Sequence, residues 1–154
     1  MPLLLALLLA YDPSTNPLNN NDWAFPLLEI IHISGFGVAI GTIAIVDLCL
    51  LGAGQGRWSS SRLVKETGTL TLIGLVMVLF SGPLILSTDP VMYYYNLGFR
   101  VKMVALALAI IFNYTIHRKV ALSDPSPGAA KLAGSVSLLL WVSVIFGGIF
   151  IAFY

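Results

Sequence analysis

Charge is what this sequence has least of. Eight Lys and Arg and seven Asp and Glu make up 10% of 154 residues, where a soluble domain carries about 25%. A surface with so few charges does not face water. The net charge of +1 leaves no basic patch for nucleic acid. Cysteine is nearly absent too: Cys49 stands alone in an apolar run, which excludes an internal disulfide framework and a thiolate metal cluster. There is no C-x-x-C-H, no P-loop, no H-E-x-x-H and no Ser/His/Asp pattern. The polar loops are too short to hold an independent catalytic domain.

What is present is apolar length. Hydrophobic residues make up 58% of the chain. Four stretches reach or approach the roughly 20 residues that cross a bilayer, at Phe25–Leu51, Gly68–Ser87, Phe99–Ile116 and Leu132–Phe153. Backbone groups in hydrocarbon must be satisfied internally, so these segments are expected to be helices. Pro83 is expected to kink the second or end its regular part early. The fold class that follows is all-α, an integral membrane four-helix bundle. "MPLLLALLLA" is too short to cross and lacks the basic start of a secretory signal. It is expected to stay on the chain as a short interfacial helix, with "YDPSTNPLNNND" as a polar loop. The division is residues 1–22, an N-terminal interfacial segment and loop, and 23–154, the transmembrane domain.

Basic residues set the expected orientation. Arg57, Arg62 and Lys65 lie between the first two spans, and Arg118, Lys119 and Lys131 between the last two. Both termini are therefore expected outside a bacterial inner (cytoplasmic) membrane. Trp23 and Tyr93–Tyr95 fit an outer aromatic belt, and Trp58 an inner one.

Ionisable side chains inside such segments usually face the bundle interior and often mark function. An outer cluster gathers Glu29, His32, Arg100 and Lys102. Glu29 and His32 are spaced i, i+3 on one helix face, and His32 lies about 10 Å below the outer surface. A neutral imidazole there can ligate haem iron or copper, or donate to a quinone carbonyl. Alternatively these groups only lock the first helix to the third. An inner cluster gathers Asp47, Arg62, His117 and Arg118. Asp47 is expected to pair with Arg62 or Arg118, and His117 to lie solvated at the interface. The two histidines are thus expected at opposite faces, which argues against two axial ligands of one haem. Gly37 and Gly41, in G-x-x-x-G spacing, are read as a contact inside the bundle, with Gly134, Gly147 and Gly148 doing similar work on the fourth helix. Asn113 is expected to form an interhelical hydrogen bond.

"WAFPLLEIIHISGFGVAIGTIAIVDLCLLG" resembles the opening of a family of small four-helix bacterial membrane proteins of unknown function. The matching residues are Trp23, Phe25, Pro26, Glu29, His32, Gly41, Asp47 and Gly52. "NLGFRVKMVALALAIIFNYTIHRKV" is similar to that family's third helix, with Phe99, Lys102, Asn113 and His117 in register. "KLAGSVSLLLWVSVIFGGIFIAFY" resembles its fourth, except that Gly148 stands where the family pattern has arginine. The layout is more distantly similar to the copper-resistance D and membrane-bound protoporphyrinogen oxidase families. The latter likeness implies haem b at His32 and Lys102.

Two functions follow. In the first, the protein is redox-associated. His32 is a haem or metal ligand, Lys102 a second ligand or propionate partner, Glu29 the acceptor that orients the imidazole, and Arg100 part of the same site. The cofactor is haem b, with quinone, copper or none as alternatives. In the second, the chain is a non-catalytic accessory subunit of a larger electron-transfer or photosynthetic-type complex. Its partners are then lipid and other membrane subunits.

Overall fold

The computed structural model describes residues 10–53, 58–123 and 125–153. Helix α1 spans Ala24–Leu50 and α2 spans Ser60–Leu86. A short helix, Pro90–Tyr95, precedes the third span, Leu97–Leu122, here α3. Helix α4 runs over Pro127–Phe150 and ends in a 3-10 turn. The interfacial helix expected at the N-terminus falls on residues 1–9, outside the described residues. All four long helices are long and apolar enough to cross a membrane. Large apolar side chains such as Ile33, Leu72, Phe80, Val104, Leu139 and Phe146 point outward. In water that surface would be costly; in lipid it is the solvated face. The protein is an integral, multi-pass membrane protein built as an all-α four-helix bundle.

The helices outrun the apolar stretches. α2 starts eight residues before Gly68, because Ser60–Thr67 continues the helix into the polar zone and Arg62 pairs with Glu66 one turn on, at 2.6 Å. At its other end α2 passes through Pro83 to Leu86, so the proline does not end it. The starts of the short helix and of α3 are closed by short polar side chains. Asp89 caps the short helix by accepting from the Met92 amide, and Asn96 caps α3 by accepting from the Phe99 amide at 2.9 Å. Asn96 also donates to the Ile151 carbonyl and ties α3 to the end of α4. After α1, Gly52 takes a positive φ of 104°. Its amide bonds to the Cys49 carbonyl and that of Ala53 to the Leu48 carbonyl, a Schellman stop that a side chain would strain.

α1 packs against α2 along most of its length and against α4, while α3 packs against α4. The inner end of α3 returns to α2. The main core is Ala39, Ile43, Leu75, Ala105, Leu106, Ala109, Trp141 and Val144. The close α1–α2 approach is made by Gly35 and Gly74. A Cβ at Gly74 would stand 2.6 Å from the Ala39 nitrogen. Gly37 and Gly41, by contrast, have nothing within 4 Å of such a Cβ. The expected G-x-x-x-G contact is therefore corrected: the motif lies on the outward face of α1, since Gly37 is about 200° around the helix from Gly35. Gly134 packs on the Asp47 carbonyl and Gly147 on the Lys102 backbone, as expected of α4.

These contacts predict that Gly74→Ala destabilises the bundle by about 1–3 kcal/mol through overpacking, while Gly37→Ala leaves it unchanged. Thermal unfolding in detergent checks both. Equal effects of the two changes would reverse the assignment of faces.

Candidate functional site

The first turns of α1 and α3 bring the outer groups together. His32 lies about 12 Å into α1 and Lys102 about 8 Å into α3, counting 1.5 Å per residue. Their side chains meet, with Lys102 Nζ 3.5 Å from His32 Nε2. The other imidazole nitrogen, Nδ1, lies 2.8 Å from Ser81 Oγ on α2. Ser81 already directs its hydroxyl hydrogen to the Met77 carbonyl at 2.6 Å. Its oxygen must then accept from Nδ1, and the proton of the neutral ring is assigned to Nδ1. The Nε2 lone pair therefore faces the lysine. Phe36 packs edge-on to His32, with ring centroids 5.0 Å apart, and Lys102 Nζ lies 4.8 Å from its centroid.

Glu29 and Arg100 are exposed and stand outside this contact. Neither ring nitrogen of His32 is directed at Glu29; the partners are Ser81 and Lys102. Instead the charge of Glu29 reaches Tyr93, whose phenol is pushed above its ordinary value by burial first and then by Glu29 and Asp89. Tyr93 is thus a buried partner of Phe99 rather than a belt residue, whereas Trp23 and Tyr95 are exposed. A Cβ at Gly148 would lie 3.6 Å from Lys102 Nζ. The departure from the resembled pattern thus falls in the site itself.

The inner groups assemble differently from expectation. Asp47 is fully buried and pairs with His117, Oδ1 to Nε2 at 2.6 Å, while Ser137 donates to Oδ2 at 2.9 Å. Neither arginine pairs with it: Arg62 is 67% exposed beside Glu66, and Arg118 lies across Gly68 on α2. His117 is 2% exposed, not solvated. The reason is a π turn over Asn113–His117. Buried positions on α3 recur every four residues, at Ala105, Ala109, Asn113, His117 and Ala121. In a regular helix each such step drifts about 40°, and the wider turn holds that drift back. Asn113 makes no interhelical bond: buried at 7% exposure, it lines a cavity with Thr42, Thr71 and His117. Lys102 and His117 are fifteen residues apart, about 20 Å along α3, so the two histidines sit at different depths.

Ser81 and Ser137 are the site residues that sequence reasoning missed. Ser81 is a lone hydroxyl in an apolar run, and Ser137 stands with Ser135 at the start of one; those interruptions are the available signal. Removing His117 alone strands a buried carboxylate. His117→Leu should destabilise by about 3–5 kcal/mol, whereas Asp47→Leu with His117→Leu and Ser137→Ala should be close to neutral. Unfolding in detergent reads both, and a triple variant as unstable as the single one would count against this account.

The outer lysine–histidine contact and the buried aspartate–histidine pair both lie within the region that one family model covers. Comparison with curated proteins and with solved structures gives no match. The likeness to the copper-resistance D and protoporphyrinogen oxidase families gains no support from these comparisons. The model that matches covers residues 26–154, most of the chain, and the protein belongs to that family, a family of unknown function (DUF6644).

Proposed function

We propose that this membrane protein is redox-associated and binds a cofactor, haem b first among the candidates, at His32 and Lys102. The observation that supports this is the bonding of His32. Ser81 fixes Nδ1 as a donor, which leaves an Nε2 lone pair beside a cation rather than a carboxylate. A purely structural lock in hydrocarbon is best made from opposite charges; here two basic groups face each other. Haem b would use both. Nε2 would ligate iron, and the ammonium would pair with a propionate. Lys102 now occupies the direction a ligand would take. Its flexible stem can swing towards Gly148, which presents no side chain. Ser81 takes the role of orienting the imidazole, and the exposed Arg100 is available to a second carboxylate at the rim.

A quinone engages the same pair: the ammonium donates to a carbonyl oxygen, and Nε2 accepts from a quinol hydroxyl. Copper is served less well, because the described residues contain no group of three or more His, Cys, Asp or Glu able to hold a metal ion. The basic residues of the inner connections support a cytoplasmic placement for them, with the site near the outer face.

Two measurements test the proposal. Wild-type protein purified in mild detergent should show a Soret band. His32→Ala should abolish it, and Ser81→Ala should weaken haem affinity by about 10–100-fold. A colourless wild type rejects haem b and leaves the quinone and accessory-subunit readings. For the orientation, a reporter inserted after Ser123 should be active in the cytoplasm; periplasmic activity there inverts the depth assignment.

A further inference from the structure

The inner half of the bundle holds a second polar centre that the cofactor reading does not use. Asp47, His117 and Ser137 are 0%, 2% and 1% exposed. His117 also lines a cavity of about 30 Å³, together with Thr67, Thr71, Asn113 and Arg118 among others. About 10–15 Å³ suffices for one water, provided it finds two to four polar partners, and this wall offers them. Two polar side chains of this wall, Asn113 and His117, make no hydrogen bond to protein among the described residues, although His117 Nε2 lies 2.6 Å from Asp47 Oδ1. A buried amide left bare is unfavourable, so the cavity is expected to be wet.

We propose that this cavity is a hydrated proton-binding site, in which water held by Asn113 delivers a proton to Nδ1 of His117 from the basic face of the bundle. The balance is simple. At 2.6 Å from Oδ1 the hydrogen of a neutral ring is assigned to Nε2, where it keeps the two lone pairs apart, and the ring's lone pair then lies on Nδ1. One proton from cavity hydronium forms one N–H bond there and leaves water behind. A carboxylate–imidazole pair of net charge −1 becomes a carboxylate–imidazolium pair of net charge zero. Asp47 stays a carboxylate, and Ser137 keeps its bond to Oδ2.

The groups facing the pair are few. α1 offers Thr42 besides Asp47 itself, α2 Thr67 and Thr71, and α4 Ser137. α3 adds the Tyr114 phenol and the Arg118 guanidinium at the cavity wall. Arg118 lies across Gly68 at that wall. Towards the outer site the way is closed by Ala39, Leu75, Ala109 and Trp141. The centre is therefore loaded and unloaded from one side and is not a channel.

Acid-induced infrared difference spectra of the protein in lipid bilayers, with isotope-labelled histidine, test this. Wild type should show a histidine gaining a proton and no new carboxylic acid C=O band. In His117→Gln that histidine signal should be lost and a carboxylic acid band should appear, which Asp47→Asn in the same background removes. Asn113→Leu keeps the pair and fills its polar wall, and it should slow exchange of the His117 proton with deuterated buffer at least tenfold. Identical wild-type and His117→Gln spectra overturn the proposal. So does wild-type exchange in Asn113→Leu, which keeps the test open should His117→Gln fail to fold.

Discussion

Hydrocarbon offers no hydrogen bonds, and nearly every feature of this bundle answers to that constraint. Backbone groups are closed within helices. Hydroxyls on the spans turn back onto their own helix: Thr42 on Val38, Thr67 on Leu63, Thr115 on Ile111, Ser143 on Leu139. The one carboxylate with no exposure among the described residues, Asp47, accepts from Ser137 through Oδ2 and lies 2.6 Å from His117 through Oδ1. Against such thorough pairing, exceptions carry information. Asn113 is buried with no partner, and Lys102 meets a base instead of an acid. The buried Nε1 of Trp141 also has no hydrogen-bond partner among the described residues; the first two are the places where something outside the chain is expected to bind.

Close packing places these groups. Gly35 and Gly74 let α1 and α2 touch backbone to backbone, which sets Ser81 beside His32. Gly147 lets α4 lie against the backbone of Lys102, so the lysine is held at its root while its ammonium reaches α1. At the other end Gly134 seats α4 on the Asp47 carbonyl and brings Ser137 within reach of the carboxylate. Both polar centres thus depend on small residues that have no polar side chain themselves.

The four spans were legible because a bilayer needs length and apolarity, and both are written residue by residue. The meeting of His32 and Lys102 was legible for a related reason: each lies a known distance from a recognisable helix start on the same side. The partner of Asp47 was not. A π turn leaves no mark in hydrophobic periodicity, so His117 was read as interfacial when it is buried. G-x-x-x-G spacing likewise says that a helix can be approached but not which face is. Gly37 and Gly41 carried the motif, while Gly35 and Gly74 made the contact. Glu29 was assigned to His32 from i, i+3 spacing. That spacing fixes a shared face of one helix and cannot see a serine on another.

The distance between the two centres limits what any mechanism can ask of them. An apolar layer of Ala39, Ile43, Leu75, Leu106, Ala109 and Trp141 separates them, and Lys102, which meets His32, lies about 20 Å from His117 along α3. A single haem cannot take both as ligands. A proton on His117 cannot pass to His32 through side chains alone. Coupling, where it exists, would have to act through α3, which carries Lys102 at one end and the π turn at the other. That turn departs from the α pattern of hydrogen bonds and ends on His117 itself, so packing along this one helix is the route such coupling would need.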